Sequence, residues 1–197
     1  MLYNIILSLV KIYYFTVRRL KIVGKENVPV TGALIVAANH VSVQDPLVVA
    51  CALPRKISYM SKSELFKNPF VAKFLRALLV FPVDRGKGDL VAMRAALKVL
   101  QLENCLGIFP EGTRNLERPI KALLPIKAGT ALLASMASAP VLPVAIQGTD
   151  SIFSKIIIRI GTPLYLTHSG DLKLNKELQA KFSEDITHQI TALYFKK

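Results

Sequence analysis

Short apolar runs recur along the chain at Leu20–Val23, Ala33–Ala38, Ile57–Met60, Leu79–Val83, Leu106–Phe109, Val141–Ile146 and Ile156–Ile160, with helix-like segments between most of them. Runs this short and this apolar fit strands buried on both faces, and both faces are buried only where helices cover the sheet. The alternation predicts an α/β fold, a single domain with a mixed, largely parallel sheet flanked by helices. Helices are expected from Asp45-Pro46, over 69–79, over 90–102 and near 127–135. A last helix carries Leu174, Leu178, Phe182, Ile186 and Ile190, a stripe recurring every four residues that reads as core. Asp45 is placed to cap the helix that Pro46 opens, and Ser61-Lys62-Ser63-Glu64 has the form of a capping box. A chain of 197 residues can bury one core without metal or disulfide staples. Cys51 and Cys105 belong to no CxxC pair and read as buried free thiols.

Residues 1–19 stand apart from the domain over 20–197. On a helix, Asn4, Ser8, Lys11, Arg18 and Arg19 share a sector of roughly 100°, while Leu2, Ile5, Ile6, Leu9, Val10, Ile12, Tyr13 and Val17 fill the rest. So wide an apolar arc exceeds what packing on a core requires, and the expectation is an interfacial helix lying in a membrane surface. Its polar interruptions leave no run near the roughly 20 residues of a spanning helix. Neither a basic leader nor a small-residue cleavage pattern precedes Arg18-Arg19, so no cleaved signal is expected. Residues 69–79 are again greasy and basic, with Phe70, Val71, Phe74, Leu75 and Leu78 opposite Lys73 and Arg76. A second membrane contact and a simple cover for the sheet are both open for that helix.

Lys and Arg number 26 against 13 Asp and Glu, a formal charge of +13 that attracts anionic partners. The sign does not choose among phospholipid, nucleic acid and an acidic carrier protein. The company of the charges does: 52% of residues are hydrophobic and the mean hydropathy is +0.40. The chain has no Trp, and most Phe lie inside apolar runs, so the aromatic platforms of nucleic-acid binders are missing and no nucleic-acid partner is expected. An anionic membrane surface fits better.

Three turns that follow strands carry the side chains able to do chemistry. Asn39-His40-Val41-Ser42-Val43-Gln44-Asp45 offers an imidazole that can take and return a proton near neutrality, and a carboxylate near enough to hold its tautomer. Of the other histidines, His168 lies in a polar loop and His188 on the polar side of the last helix. Phe109-Pro110-Glu111-Gly112-Thr113-Arg114 packs a carboxylate, a glycine, a hydroxyl and a guanidinium together, and such a turn can present an arginine fork to a phosphate. Phe81-Pro82-Val83-Asp84-Arg85-Gly86 is a third such turn with a cation. No Gly-x-Ser-x-Gly elbow occurs, so the chain lacks the nucleophile motif of a serine hydrolase.

These turns, taken in order, resemble the motifs of the glycerolipid acyltransferase family that includes the 1-acylglycerol-3-phosphate acyltransferases. His40 and Asp45, five positions apart and flanked by Asn39 and Ser42, match the first; Val80–Arg85 resembles the second; Phe109–Arg114 matches the third; Val141–Ile146 resembles the fourth. Lys62-Ser63-Glu64-Leu65-Phe66 also has the family's look, and the motifs span most of residues 20–165. The resemblance implies a fold of the glycerol-3-phosphate acyltransferase type, with 20–197 as the acyltransferase domain. It implies direct acyl transfer from acyl-CoA or acyl-carrier protein to the sn-2 hydroxyl of lysophosphatidate, giving phosphatidate for phospholipid biosynthesis. His40 is then the base and Asp45 its orienting partner. Arg85, Glu111, Gly112, Thr113 and Arg114 become candidates for holding the glycerol phosphate, joined by Lys62. Glu111, ill suited to face a phosphate dianion, is assigned to glycerol hydroxyls or to orienting an arginine. No cofactor or metal is implied beyond the thioester co-substrate. The expected location is the cytoplasmic face of the cell membrane, peripheral or monotopic. Glycerol 3-phosphate or another lysolipid as acceptor, and a basic binding module without catalysis, are the alternatives.

Overall fold

The computed structural model describes residues 2–83, 89–117, 120, 122–166 and 176–196. Among these, seven strands form one sheet in the order β1-β7-β6-β2-β5-β3-β4, from Lys21–Val23 (β1), Leu34–Ala38 (β2), Ile57–Lys62 (β3), Val80–Val83 (β4), Cys105–Ile108 (β5), Val141–Gln147 (β6) and Ile157–Ile160 (β7). Every pairing is parallel except β6 with β7. That exception follows from chain length, since Gly148 to Ile156 is too short for the dozen or more residues, usually helical, that a parallel crossover requires. The expected α/β architecture, a mixed and largely parallel sheet flanked by helices, is the one observed.

β2 is buried at all five positions, and its residues alternate between two cores. Leu34, Val36 and Ala38 join α1 (Leu2–Thr16) and α2 (Asp45–Ala52) on one face. Ile35 and Ala37 pack with α4 (Asp89–Gln101), α5 (Gly129–Ala137) and α6 (Lys176–Phe195) on the other. Phe182, Ile186 and Ile190 of the four-residue stripe are buried, as expected, while Leu174 lies outside the described residues.

Several local expectations are corrected. The first helix stops at Thr16, with Arg19 in the left-handed region (φ 48°) and Arg18 buried. Its wide apolar arc is divided: Tyr3, Leu7 and Tyr14 enter the core, whereas Leu2, Ile5, Leu9, Ile12, Phe15 and Val17 are exposed. None of the described helices is long and apolar enough to cross a membrane. Asp45 does not cap α2; its carboxylate turns back to the loop before it. Nor does the box at Ser61–Glu64 open a helix, because β3 continues through Lys62 and Ser63–Phe66 forms only a 3-10 turn. The next helix, α3 (Pro69–Ala77), is capped by Asn68, whose side-chain oxygen accepts from the Phe70 and Val71 amides at 2.9 and 3.3 Å. Its apolar face is divided: Ala72 and Leu78 are buried, with Leu78 in the core, whereas Phe70 is 84% exposed and Val71 and Phe74 are exposed too.

Candidate active site

Parallel pairing brings the C-terminal ends of β3, β5, β2 and β6 to one edge of the sheet, where open α/β sheets place their sites. His40 follows the end of β2, between the turns that leave β5 and β6. Its Nδ1 lies 2.8 Å from Asp45 Oδ2. The same oxygen accepts from the Val41 and Ser42 amides at 2.7 and 2.8 Å, and Oδ1 accepts from the Thr149 hydroxyl at 2.6 Å. Asp45 is fully buried, whereas the His40 side chain is 19% exposed. The two amides and the hydroxyl all donate to the carboxylate, and the imidazole completes the set as its Nδ1–H tautomer, donating to Oδ2. Nε2 is left as the basic nitrogen.

The imidazole is held from other sides as well. It stacks on Phe109 with ring centroids 4.1 Å apart. Asn39, also buried, locks the strand end to β6 by donating to the Ile146 carbonyl at 3.0 Å and accepting from the Ile146 amide at 2.7 Å. Glu111 accepts from the His40 amide at 2.9 Å and the Leu124 amide at 3.1 Å. Each of its oxygens thus accepts one backbone amide, and through these bonds Glu111 braces the histidine turn. Burial pushes its pKa up, and the two amide bonds oppose that shift.

A cavity of about 700 Å³ opens beside His40, within the size range of small-molecule sites. Lys62, Gly112, Thr113 and Arg114 line it where the strands end. Further along the sheet the lining turns apolar, with Tyr3, Leu47, Ala50, Tyr59, Leu75, Leu78 and Val80. Gly107 makes room for the Tyr59 ring, since a Cβ there would stand 2.1 Å from a ring carbon. Arg85 lies outside the described residues. Burial pushes the Cys51 thiol up to about 11 and raises that of Cys105, so neither is a ready thiolate.

Three residues were missed by sequence reasoning. Lys127 lies across the Phe109–Arg114 turn: its amide donates to the Pro110 carbonyl at 3.0 Å, and the end of its side chain approaches Gly112. Thr149 and Gln44 join the surroundings of Asp45. A lysine at the start of a helix reads as solvated surface, and a threonine after a strand reads as a turn. Only strand order, which one sequence does not display, would have placed Thr149 beside β2.

Comparison with known proteins agrees with this geometry. An Acyltransferase family model matches residues 19–147. A 1-acyl-sn-glycerol-3-phosphate acyltransferase of Bacillus subtilis (strain 168) is 34% identical over 179 residues, 88% of this chain and 87% of that protein. One of Borreliella burgdorferi is 30% identical over 74% of this chain and 58% of its own length. The crystal structure of the 1-acyl-sn-glycerophosphate (LPA) acyltransferase PlsC from Thermotoga maritima shares the fold, with a TM-score of 0.71, 24% identity, and coverage of 99% of this chain and 82% of that one. On the family match and these identities, the chain belongs to the Acyltransferase family.

Proposed function

We propose that this protein transfers a fatty acyl group from an acyl thioester to the sn-2 hydroxyl of 1-acylglycerol 3-phosphate, forming phosphatidate. The observation that carries the reading is the His40–Asp45 pair at the rim of a cavity that runs from cationic side chains into an apolar lining. His40 Nε2 takes the proton of the acceptor hydroxyl as that oxygen bonds to the thioester carbonyl carbon. The tetrahedral intermediate collapses, the carbon–sulfur bond breaks, and the imidazolium returns the proton to the departing sulfur. Asp45 stabilises the imidazolium between the two transfers. Lys62, Thr113 and Arg114 hold the phosphate, with guanidinium the best match to a phosphomonoester. The apolar part of the cavity takes an acyl chain. The thioester, as acyl-CoA or acyl-carrier protein, is a co-substrate, and the reaction as written calls on no further cofactor.

The exposed apolar side chains of α1, among them Leu9, Ile12 and Phe15, support seating of this enzyme on an anionic membrane surface at the cytoplasmic face, where acceptor and donor meet. Deleting α1 would also remove core residues, so the test replaces Leu9, Ile12 and Phe15 together with Gln. Loss of co-sedimentation with anionic vesicles is expected, and unchanged sedimentation would overturn the seating. For the reaction, labelled acyl transfer to lysophosphatidate from both donors is compared between wild type and His40→Ala. Product formed by wild type and lost in the variant supports the reading. No product from either donor, with folded protein, would transfer it to another lysolipid or to glycerol 3-phosphate.

A further inference from the structure

Asp45 needs more than a short distance to hold His40, because the carboxylate torsion of an aspartate is soft and a rotation would carry Oδ2 out of line with Nδ1. The bonds from His40, Val41 and Ser42 all fall on Oδ2. The Thr149 hydroxyl, 2.6 Å away on Oδ1, fixes the second oxygen and with it the plane of the group. Thr149 is itself 1% exposed, so it reaches the reacting atoms through Asp45.

The segment that presents Thr149 is anchored from the first helix. Gln44 donates to the Thr149 carbonyl at 3.3 Å, and its own side-chain oxygen accepts from Tyr14 and from Arg18, each at 3.2 Å. The buried Arg18 guanidinium also donates to the carbonyls of Gly148 at 3.0 Å, Ser151, and Ser154 at 3.4 Å. Gly148 sits at φ 82° with the Lys155 carbonyl oxygen 2.1 Å from where a Cβ would be, so only glycine makes this turn without strain. A buried arginine forked across three carbonyls is a rigid element, and its contacts at Gly148 and Ser151 flank the residue whose hydroxyl meets the catalytic carboxylate.

We infer that Thr149 is a positioning residue for the His40–Asp45 pair, held in place by a brace of Gln44 and Arg18 that starts from α1. The inference rests on the acyl-transfer reading above. Its hydroxyl is the working part, and its methyl group is packing.

Thr149→Val keeps the shape and removes the hydroxyl; Thr149→Ser keeps the hydroxyl and removes the methyl. The Val variant is expected to lose about tenfold in kcat with KM for both substrates unchanged, the size of one hydrogen bond to a charged group. The Ser variant is expected to stay within about threefold of wild type. The Nδ1–H resonance of His40, sharp in wild type and Ser, should broaden in Val. Full kcat in a folded Val variant, or a Ser variant as impaired as Val, overturns the inference. Should Val not fold, Thr149→Ala takes its place under the same criteria. If wild type transfers no acyl group to lysophosphatidate, the reading of the reaction fails, while an unchanged His40 resonance in the hydroxyl-free variant would separately defeat the positioning role.

Discussion

Replacing Asp45 by Asn should separate the charge of the carboxylate from its shape. Oδ2 receives the His40 imidazole and the Val41 and Ser42 amides, all donors, so an amide nitrogen cannot occupy that place. The Asn carbonyl must take it, and the amide nitrogen then faces Thr149, whose hydroxyl can turn to accept. The loop and the histidine tautomer survive, and only the charge is lost. At an effective dielectric of 20, an opposite charge about 4 Å away stabilises an imidazolium by about 4 kcal/mol, of which a neutral hydrogen bond recovers about 1. The remaining ~3 kcal/mol corresponds to roughly a hundredfold in kcat. Initial rates at saturating donor and acceptor, with a thermal melt on the same samples, measure both halves. The expected result is a hundredfold loss in kcat, unchanged KM and a melt near that of wild type. Asp45→Ala, by contrast, orphans the Val41 and Ser42 amides and should destabilise by about 1–3 kcal/mol for each. An Asn variant at wild-type kcat refutes the role of the charge, and one as unstable as Ala refutes the assignment of the amide.

Three further outcomes are expected. Glu111 has a folded-state pKa raised by burial, so its contribution to stability is full below its unfolded value near 4.5 and is lost as pH rises through the raised folded value; denaturant titrations of wild type and Glu111→Gln between pH 4 and 8 should show wild type's relative stability falling as pH increases, and a flat difference would contradict this. Gly107→Ala drives a methyl into the buried Tyr59 ring, which should cost about 1–3 kcal/mol in urea unfolding and shift acyl preference toward shorter chains; unchanged stability and preference would count against the proposed acyl site. Arg18→Met keeps volume but strips the donors from the 148–154 segment, so limited proteolysis should cut there faster than in wild type, and equal cutting rates would argue against the brace.

The layers of the fold and the pairing of His40 with Asp45 were legible in the sequence. Short apolar runs such as 33–38 and 141–146, alternating with helix-like segments, fit strands with helices on both sides, and His40 with Asp45 five residues on can meet through a single turn. Element ends were less legible: helix 69–79 was expected to begin after a capping box at Ser61, and the box lost to continuation of β3, which pairs with β4 through Lys62. Which turns share an edge depends on strand order. Strand order set Thr149, just past the end of β6, beside the loop after β2, and pairing of β2 with β5 brought Glu111 under the His40 amide as a backbone brace. Tertiary packing also divided the apolar arc of α1 between core and surface. The physical reason is common to all three: local propensity and period act within a few residues, whereas a hydrogen bond spanning 104 positions depends on which strands are neighbours.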